Sequence, residues 1–112
     1  MEKEYLYVGH YIDTKGNYIL KVGTTKNLKQ RQGQHNTKYR TAARCPMAED
    51  SSFEYDWHIE LSKYNTLRFE DRTRAKWKEE QIGKFITKDR FLCEEKPTVV
   101  QVVIRKTYEI YL

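Results

Sequence analysis

The 112-residue sequence has little of what several classes of protein require. Its two cysteines, Cys45 and Cys93, are too few for a disulfide framework and cannot by themselves form a structural zinc site. No run of about 18 apolar residues occurs, which argues against a transmembrane helix and against a membrane partner. The charged N-terminus leads into no apolar signal core, so secretion is not expected. These absences predict a protein of the reducing cytoplasm.

The sequence also lacks internal repeats, low-complexity segments and any stretch of proline, glycine or serine that could act as a linker. Its length leaves room for one hydrophobic core, so we expect a single domain over residues 1–112. Nine Tyr, four Phe and two Trp supply the apolar surface that folding requires. This aromatic content argues against a disordered chain.

Acidic residues are absent from residues 14–47, where eight of the 21 basic residues lie. The other 13 basic residues are outnumbered by the 16 acidic ones, so the net charge of +5 comes from one cationic third of the chain. A block of one sign attracts polyanions, of which nucleic acid is the commonest inside cells. The alternative is a solvated face that only keeps a small protein in solution. The candidate DNA contacts in this block are Thr25, Lys26, Lys29, Lys38, Arg40 and Arg44.

Hydrophobic periodicity predicts an α+β fold in the order β-β-α-β-α-β, with helices flanking a small, mostly antiparallel sheet. Gly23 is expected to end the second strand, Asn27 to cap the first helix, and residues 37–52 to form a loop. The predicted strands cover residues 4–12, 18–22, 53–61 and the β-rich segment 98–112. The predicted helices cover residues 28–36 and a longer stretch that is capped by Asn65 or Thr66 and ends near Ile86.

Two patterns assign side chains to faces of these elements. Alternation in the third strand places five apolar residues on one face: Phe53, Tyr55, Trp57, Ile59 and Leu61. Spacings of three and four in the second helix give one stripe: Leu67, Glu70, Arg74 and Trp77. We expect a carboxylate on such an inward stripe to have a partner or a metal.

Basic groups gather around the second strand and the first helix. Lys21 lies in the strand, and Arg31 and His35 are four residues apart on one face of the helix. The expected corner at Gly23 offers free backbone N–H groups that favour an anion. A cationic strand residue, a helix N-terminus and an arginine in the first turns together describe a phosphate site.

The same residues resemble the second half of the GIY-YIG nuclease motif. Its fixed positions are Gly, Ser/Thr, Asn-Leu, Arg and His, and all of them are filled in Gly23-Thr24-Thr25-Lys26-Asn27-Leu28-Lys29-Gln30-Arg31 and His35. Tyr5-Leu6-Tyr7 is similar to the Gly-Ile-Tyr element, and Lys21-Val22-Gly23 is similar to Tyr-Ile-Gly with lysine in place of tyrosine. That lysine form resembles the phage-type DNA-binding branch, whose closing aromatic motif is similar to Asp89-Arg90-Phe91. The resemblance implies a bacterial or phage-infected cell as the setting.

The resemblance also implies a role for each motif residue. Tyr7 would assist deprotonation of the attacking water, Arg31 would bind the scissile phosphate, and His35 would orient or relay a proton. Lys21 would stabilise charge or accept a proton in place of the second tyrosine. A phenol with an ordinary pKa is a poor base at neutral pH, so we expect Lys21 and Arg31 to lower the pKa of Tyr7. Tyr7 and Lys21 must then share one face of the sheet, which the odd loop 13–17 permits.

A glutamate on the second helix would hold one divalent metal, Mg²⁺ or Mn²⁺, according to the same resemblance. Glu70 is assigned this role, because it follows the expected capping residues by about a turn and shares a stripe with Leu67 and Trp77. Glu79 and Glu80 are the alternatives, although they more plausibly solvate the end of the helix.

The leading prediction is a small endonuclease that hydrolyses DNA phosphodiester bonds with a divalent metal. The alternative is a non-catalytic module of the same fold that binds DNA without cleaving it. A protein-interaction or inhibitor role has no positive feature in the sequence. Because one domain covers few base pairs, we expect either a homodimer or weak sequence specificity.

Overall fold

A computed structural model describes residues 3–94 and 98–110. The α+β class and the antiparallel sheet are confirmed, and the observed order is β-β-α-β-α-β-β-α. The strands are β1 (Lys3–Ile12), β2 (Tyr18–Thr25), β3 (Glu54–Ser62), β4 (Lys84–Thr87) and β5 (Arg90–Cys93). The helices are α1 (Leu28–Arg40), α2 (Lys63–Glu79) and α3 (Thr98–Glu109).

The five strands form one sheet in the order β3-β1-β2-β5-β4, and every neighbouring pair is antiparallel. Ile12 pairs with Tyr18, so the β1–β2 loop has the five residues 13–17 that were expected. Asp13 closes this loop, because its Oδ1 accepts hydrogen bonds from the backbone N–H groups of Lys15 and Asn17. Gly16 adopts a φ of 84°, a conformation that glycine reaches without strain.

The helices divide between the two faces of the sheet. One face carries α1 and a cluster that includes Tyr7, Tyr39 and Phe53. The other face carries α2 and α3, and its cluster includes Trp77 and Val103. Side chains alternate along β1 and β2, so these two strands contribute to both clusters.

A β-bulge in β3 overturns the prediction that its five apolar residues share one face. Val8 pairs with Trp57 and Gly9 with Tyr55, which leaves Asp56 as an extra residue on β3. The extra residue reverses the alternation, so Phe53 and Tyr55 join the cluster beneath α1. Trp57, with Ile59 and Leu61, packs against the opposite cluster.

Helix α1 begins as expected and ends four residues later than predicted. The Asn27 side chain caps it by accepting a hydrogen bond from the Gln30 backbone N–H at 3.0 Å. The helix continues past Gly33 because His35 and Tyr39 are both buried against the sheet. Packing of this kind offsets the low helix propensity of glycine.

Helix α2 begins earlier and ends earlier than predicted. Ser62, rather than Asn65 or Thr66, is its N-cap residue, and the helix stops at Glu79, so Ile86 lies in β4. Its inward residues are Thr66, Thr73 and Trp77. The predicted inward position of Leu67 is wrong, because this side chain is 67% exposed.

The C-terminal segment is a helix, which overturns the predicted β-rich stretch over residues 98–112. In α3 the buried residues Val100, Val103 and Thr107 are spaced by three and four positions, as on one face of a helix. The Trp77 indole N–H donates to Thr107 Oγ1 at 3.0 Å and fastens α3 to α2. β-Branched residues have a high intrinsic propensity for strands, but here packing against α2 stabilises the helical conformation instead. Residues 111 and 112 of the predicted strand lie outside the described residues.

The β4–β5 hairpin occupies the end of the predicted second helix and the segment after it. Gly83 precedes it with a φ of 66°, a conformation that glycine adopts without strain. Over residues 3–94 and 98–110, no helix has the length and apolar character needed to cross a membrane.

Candidate functional site

The β1–β2 hairpin places Tyr7 and Lys21 on the same face of the sheet. Tyr7 pairs with Gly23 and Gly9 pairs with Lys21, and directly paired residues point to the same side. The geometric condition for a shared site is therefore met. Gly23 lies beneath the tyrosine, because a Cβ atom at this position would come within 2.5 Å of the Tyr7 hydroxyl.

Helix α1 brings His35 onto this tyrosine. The Tyr7 hydroxyl and His35 Nε2 are 2.6 Å apart in a buried hydrogen bond. The His35 ring stacks on Tyr39 with centroids 5.0 Å apart and meets the Phe53 ring edge-on at 4.8 Å. The bulge places Tyr55 on this face, where its ring meets the Tyr7 ring edge-on with centroids 5.1 Å apart. Aromatic packing thus holds the Tyr7–His35 pair in one geometry.

Burial has opposite effects on the pKa values of the two groups. Tyr7 has no exposed surface, and burial raises its pKa well above the ordinary value despite the opposing effect of the Arg31 guanidinium. The expectation that nearby cations lower this pKa is wrong, because desolvation of the phenolate is the larger effect. The pKa of His35 falls to about 3, first through burial and then through the positive charges of Lys21, Arg31 and Lys38.

These shifts indicate the protonation state of the pair at neutral pH. Tyr7 is a neutral phenol and His35 is a neutral imidazole. The Arg31 guanidinium, which can only donate, interacts with the Tyr7 oxygen. The Tyr7 O–H can therefore donate to His35 Nε2 in the tautomer whose other ring nitrogen carries the proton.

Arg31 lies in the first turns of α1, beside the end of β2. Its Nη1 donates to the Thr24 carbonyl oxygen at 3.1 Å. β2 runs to Thr25, so the prediction that Gly23 forms the strand-to-helix corner is wrong, and the corner lies at Lys26 and Asn27. A shallow depression is lined here by Glu4, Thr24, Thr25, Lys26, Asn27, Gln30 and Arg31, so one carboxylate borders the basic groups. This arginine, at a helix N-terminus, is well placed for a phosphate group.

Lys21 is buried and forms an ion pair that the sequence analysis did not predict. Its Nζ donates to Asp89 Oδ2, which comes from the turn between β4 and β5. In the sequence, Asp89 belongs to the segment Asp89-Arg90-Phe91, whose pattern predicts no ion pair. No signal in the sequence connects two residues that lie 68 positions apart. Only the pairing of β2 with β5 brings them together.

Glu70 lies on α2, on the face of the sheet opposite to Tyr7 and His35, and its Oε1 accepts a hydrogen bond from Arg74 Nη1. The partner expected for this carboxylate is therefore an arginine on the next turn. Glu70 is close enough to Lys21 to favour its charged form. Glu80, one of the alternatives, pairs with Lys76 and Lys106, and Glu79 is exposed.

Near these residues, Glu70 is the one carboxylate proposed as a ligand, so a divalent cation bound here would have a single protein carboxylate. Within residues 3–94 and 98–110, no group of three His, Cys, Asp or Glu side chains converges as metal ligands do. Mg²⁺ is commonly held by one or two carboxylates together with substrate phosphate and water. Glu70 can supply one carboxylate oxygen in such a site, with Arg74 on the other.

The six candidate DNA contacts are in different environments. Lys26, Lys29 and Lys38 are exposed, whereas Thr25 is buried and its hydroxyl bonds to the backbone of Asn27. The two arginines bind protein carbonyl groups. Arg40 donates to the Ala48, Glu49 and Ser51 oxygens, and Arg44 donates to the Ile86 oxygen. Both arginines thus fasten the segment that follows α1.

The sequence matches the family model of the T5orf172 domain over residues 4–105. The chain belongs to the T5orf172 domain family. The resemblance to GIY-YIG nucleases is therefore wrong as a family assignment, because the T5orf172 model describes a different family and covers the residues on which that resemblance rested. T5orf172 domains are nuclease-like and DNA-binding, which supports a role connected with DNA. No curated protein and no solved structure matches the sequence.

Proposed function

We propose that this T5orf172 domain is a DNA endonuclease that hydrolyses phosphodiester bonds. The observation that carries the proposal is the hydrogen bond of 2.6 Å between the Tyr7 hydroxyl and His35 Nε2, on the face that also holds Arg31 and Lys21. A neutral imidazole that accepts from a phenol is a proton-relay arrangement. Two cations beside it suit a substrate that is a polyanion.

Arg31 and Lys21 would act on the scissile phosphate. Charge builds up on the non-bridging oxygens during hydrolysis, and fixed cationic donors stabilise it there. For this, Arg31 leaves the Thr24 carbonyl oxygen and turns toward the phosphate. The same movement takes the guanidinium away from Tyr7 and opens a path for water to its oxygen.

Tyr7 and His35 would move the proton of the attacking water. Water gives a proton to the Tyr7 oxygen while the Tyr7 hydroxyl proton passes to His35 Nε2. The tyrosine stays neutral and His35 becomes the cation. The water oxygen bonds to phosphorus as the bond to the 3′ oxygen breaks, and that oxygen takes a proton from solvent. Burial and then nearby cations depress the pKa of His35, so a bound phosphate that offsets the charge of the cations would make His35 a better acceptor.

Glu70 is our proposed ligand for Mg²⁺ or Mn²⁺. When bound, the metal would supply Lewis-acid stabilisation of the leaving oxygen. Arg74 shares the carboxylate, so the metal and Arg74 would compete for it.

Lys26, Lys29 and Lys38 would hold the DNA backbone on either side of the site. The molecule is 40 Å long, which corresponds to about 12 base pairs at 3.4 Å per pair. A homodimer or weak specificity therefore remains our proposal for target choice, and a bacterial or phage-infected cytoplasm is the proposed setting.

A non-catalytic DNA-binding module is the second candidate, and two observations favour it. Tyr7 is wholly buried, so its hydroxyl does not meet solvent in this structure. Glu70 is already paired with Arg74. In this case Arg31 and Lys21 would bind phosphate groups, and the Tyr7–His35 hydrogen bond would stabilise the fold.

Nicking of a supercoiled plasmid in Mg²⁺ or Mn²⁺ separates the two candidates. We expect the wild-type protein to nick, and Tyr7→Phe, Arg31→Ala and Glu70→Gln each to lower the rate at least about 100-fold, the lower range for loss of one acid–base group. Arg68→Ala, an exposed change on α2, is the control and should nick at the wild-type rate.

Binding is measured on the same proteins with a fluorescent duplex. Wild-type protein that binds DNA but does not nick it would establish the binding module. Nicking that persists undiminished in Tyr7→Phe would refute the proton relay.

A further inference from the structure

Lys21 carries its charge within the sheet, where few lysines are found. Its side chain is nearly inaccessible to solvent, and burial lowers the pKa of its ammonium group. A buried ammonium group needs a fixed partner to remain charged. The identity of that partner decides whether Lys21 can serve a phosphate site.

The turn between β4 and β5 supplies the partner. Asp89 Oδ2 accepts a hydrogen bond from Lys21 Nζ, and Asp89 Oδ1 accepts one from Thr87 Oγ1 at 3.2 Å. The Asp89 carbonyl oxygen also accepts from the Val22 backbone N–H at 3.4 Å. The carboxylate is thus held at both oxygens and at its backbone, while 34% of its side chain stays exposed at the edge of the site.

Charged groups on the helices of both sheet faces also act on Lys21 electrostatically. Glu70 on α2 favours the charged form of Lys21, and Lys38 on α1 opposes it. Within the described residues, Asp89 is the carboxylate that bonds to Lys21 directly. The charge on Lys21 in turn lowers the pKa of His35, so this ion pair reaches the Tyr7–His35 pair as well.

We propose that Asp89 is a positioning residue of the DNA phosphate site, which keeps the Lys21 ammonium group charged and in place on the face of the sheet that carries α1 and Arg31. The β4–β5 hairpin then belongs to the site, although none of its residues needs to touch DNA. The inference rests on the proposed role of Lys21 as a phosphate ligand. It adds that the charge and position of Lys21 depend on a turn that lies 68 residues further along the sequence.

Asp89→Asn tests the proposal, because it keeps the shape of the side chain and removes its charge. The titration of the Lys21 ammonium group is followed by NMR, and affinity for a short duplex is measured from pH 6 to 10. We expect Lys21 to lose its proton at lower pH in the variant. A shift of one pH unit would weaken binding about tenfold at alkaline pH if the Lys21 charge is needed, and much less at pH 6.

Asp89→Glu should restore most of the wild-type profile, and Asp50→Asn, at an exposed aspartate, should reproduce it. If Asp89→Asn does not fold, Thr87→Val removes only the bond to Oδ1 and should give a smaller shift in the same direction.

An unchanged Lys21 titration in both Asp89→Asn and Thr87→Val would overturn the proposal. Tighter DNA binding by Asp89→Asn at every pH would also overturn it, because Asp89 would then act as a carboxylate that repels the phosphate. A shifted Lys21 titration in a protein that binds no DNA would support the hold of Asp89 on Lys21 and refute the DNA function. The two failures are therefore distinguishable.

Discussion

Gly23 is the residue on which the position of Tyr7 depends. The two residues pair across β1 and β2, and the Tyr7 hydroxyl lies where a side chain at position 23 would begin. Any larger residue must move the tyrosine, and with it the hydrogen bond to His35. A glycine that the sequence pattern placed at a corner is thus needed within a strand, for space rather than for backbone freedom.

Gly23→Ala should therefore destabilise the protein by about 1–3 kcal/mol, the usual cost of overpacking a core. Unfolding in urea measures this change. Gly33→Ala is the matched control, because a Cβ there meets no atom within 4 Å. It lies on exposed helix and should stabilise the protein by about 0.5–1 kcal/mol. Equal stabilities of the two variants would show that Tyr7 can move at no cost.

At the scale of the secondary-structure element, the bulge in β3 decides which aromatic side chains pack against Tyr7. One extra residue in the strand produces this effect. Asp56 is that residue, and on the far side of the sheet its carboxylate accepts a hydrogen bond from His10 Nδ1 at 2.8 Å. The His10 ring stacks on Tyr18. The hydrogen bond from His10 thus fixes the bulge, and the bulge in turn places Phe53 and Tyr55 against Tyr7.

The His10–Asp56 bond should stabilise the fold more in acid than in alkali. Asp56 raises the pKa of His10 above 6.5. The contribution is therefore fully present below pH 6.5 and is lost as the pH rises through the pKa of folded His10. Asp56→Asn should cost about 1.5–3 kcal/mol at pH 5.5, as expected for a hydrogen bond to a charged group, and less at pH 9.

Urea unfolding at the two pH values measures this difference. Asp71→Asn is the control, because the partner of Asp71 is the Arg74 guanidinium rather than an imidazole. A cost of Asp56→Asn that is the same at both pH values would contradict the role of charged His10.

At the level of the whole molecule, the groups of the cationic block differ in their exposure and in the bonds that they make within the protein. Lys21 is buried and ion-paired, Arg40 and Arg44 are exposed but donate to backbone carbonyl groups, and Lys29 and Lys38 are exposed. Helix α1 carries the exposed lysines on one face of the sheet, and α3 packs on the other face. Fewer charges are available to DNA than the sequence count suggests.

Salt dependence counts the charges that DNA uses. The slope of log affinity against log salt should change by about 0.9 for each phosphate contact removed. Lys38→Ala should therefore flatten the slope by about one such step. Arg105→Ala, on α3 and paired with Glu109, should leave it unchanged. A wild-type affinity that does not respond to salt would refute DNA binding.

Local patterns were sufficient for part of the fold and of the site. The five-residue loop and the alternation of β1 and β2 placed Tyr7 and Lys21 on one face. The Asn27 cap and the spacing of four placed Arg31 and His35 on α1. These features depend on residues close together in the chain, or on the register of a single hairpin.

Long-range packing decided the rest. Burial set the direction of the Tyr7 pKa, and strand pairing brought Asp89 to Lys21. Packing against Trp77 stabilises the valine-rich segment of α3 as a helix. The absence of acidic residues from residues 14–47 makes this region cationic whether or not the chain is folded, so the sequence alone determines it. The tertiary structure decides which of those cations are exposed, because residues that are distant in the sequence pack against some of them and exclude water.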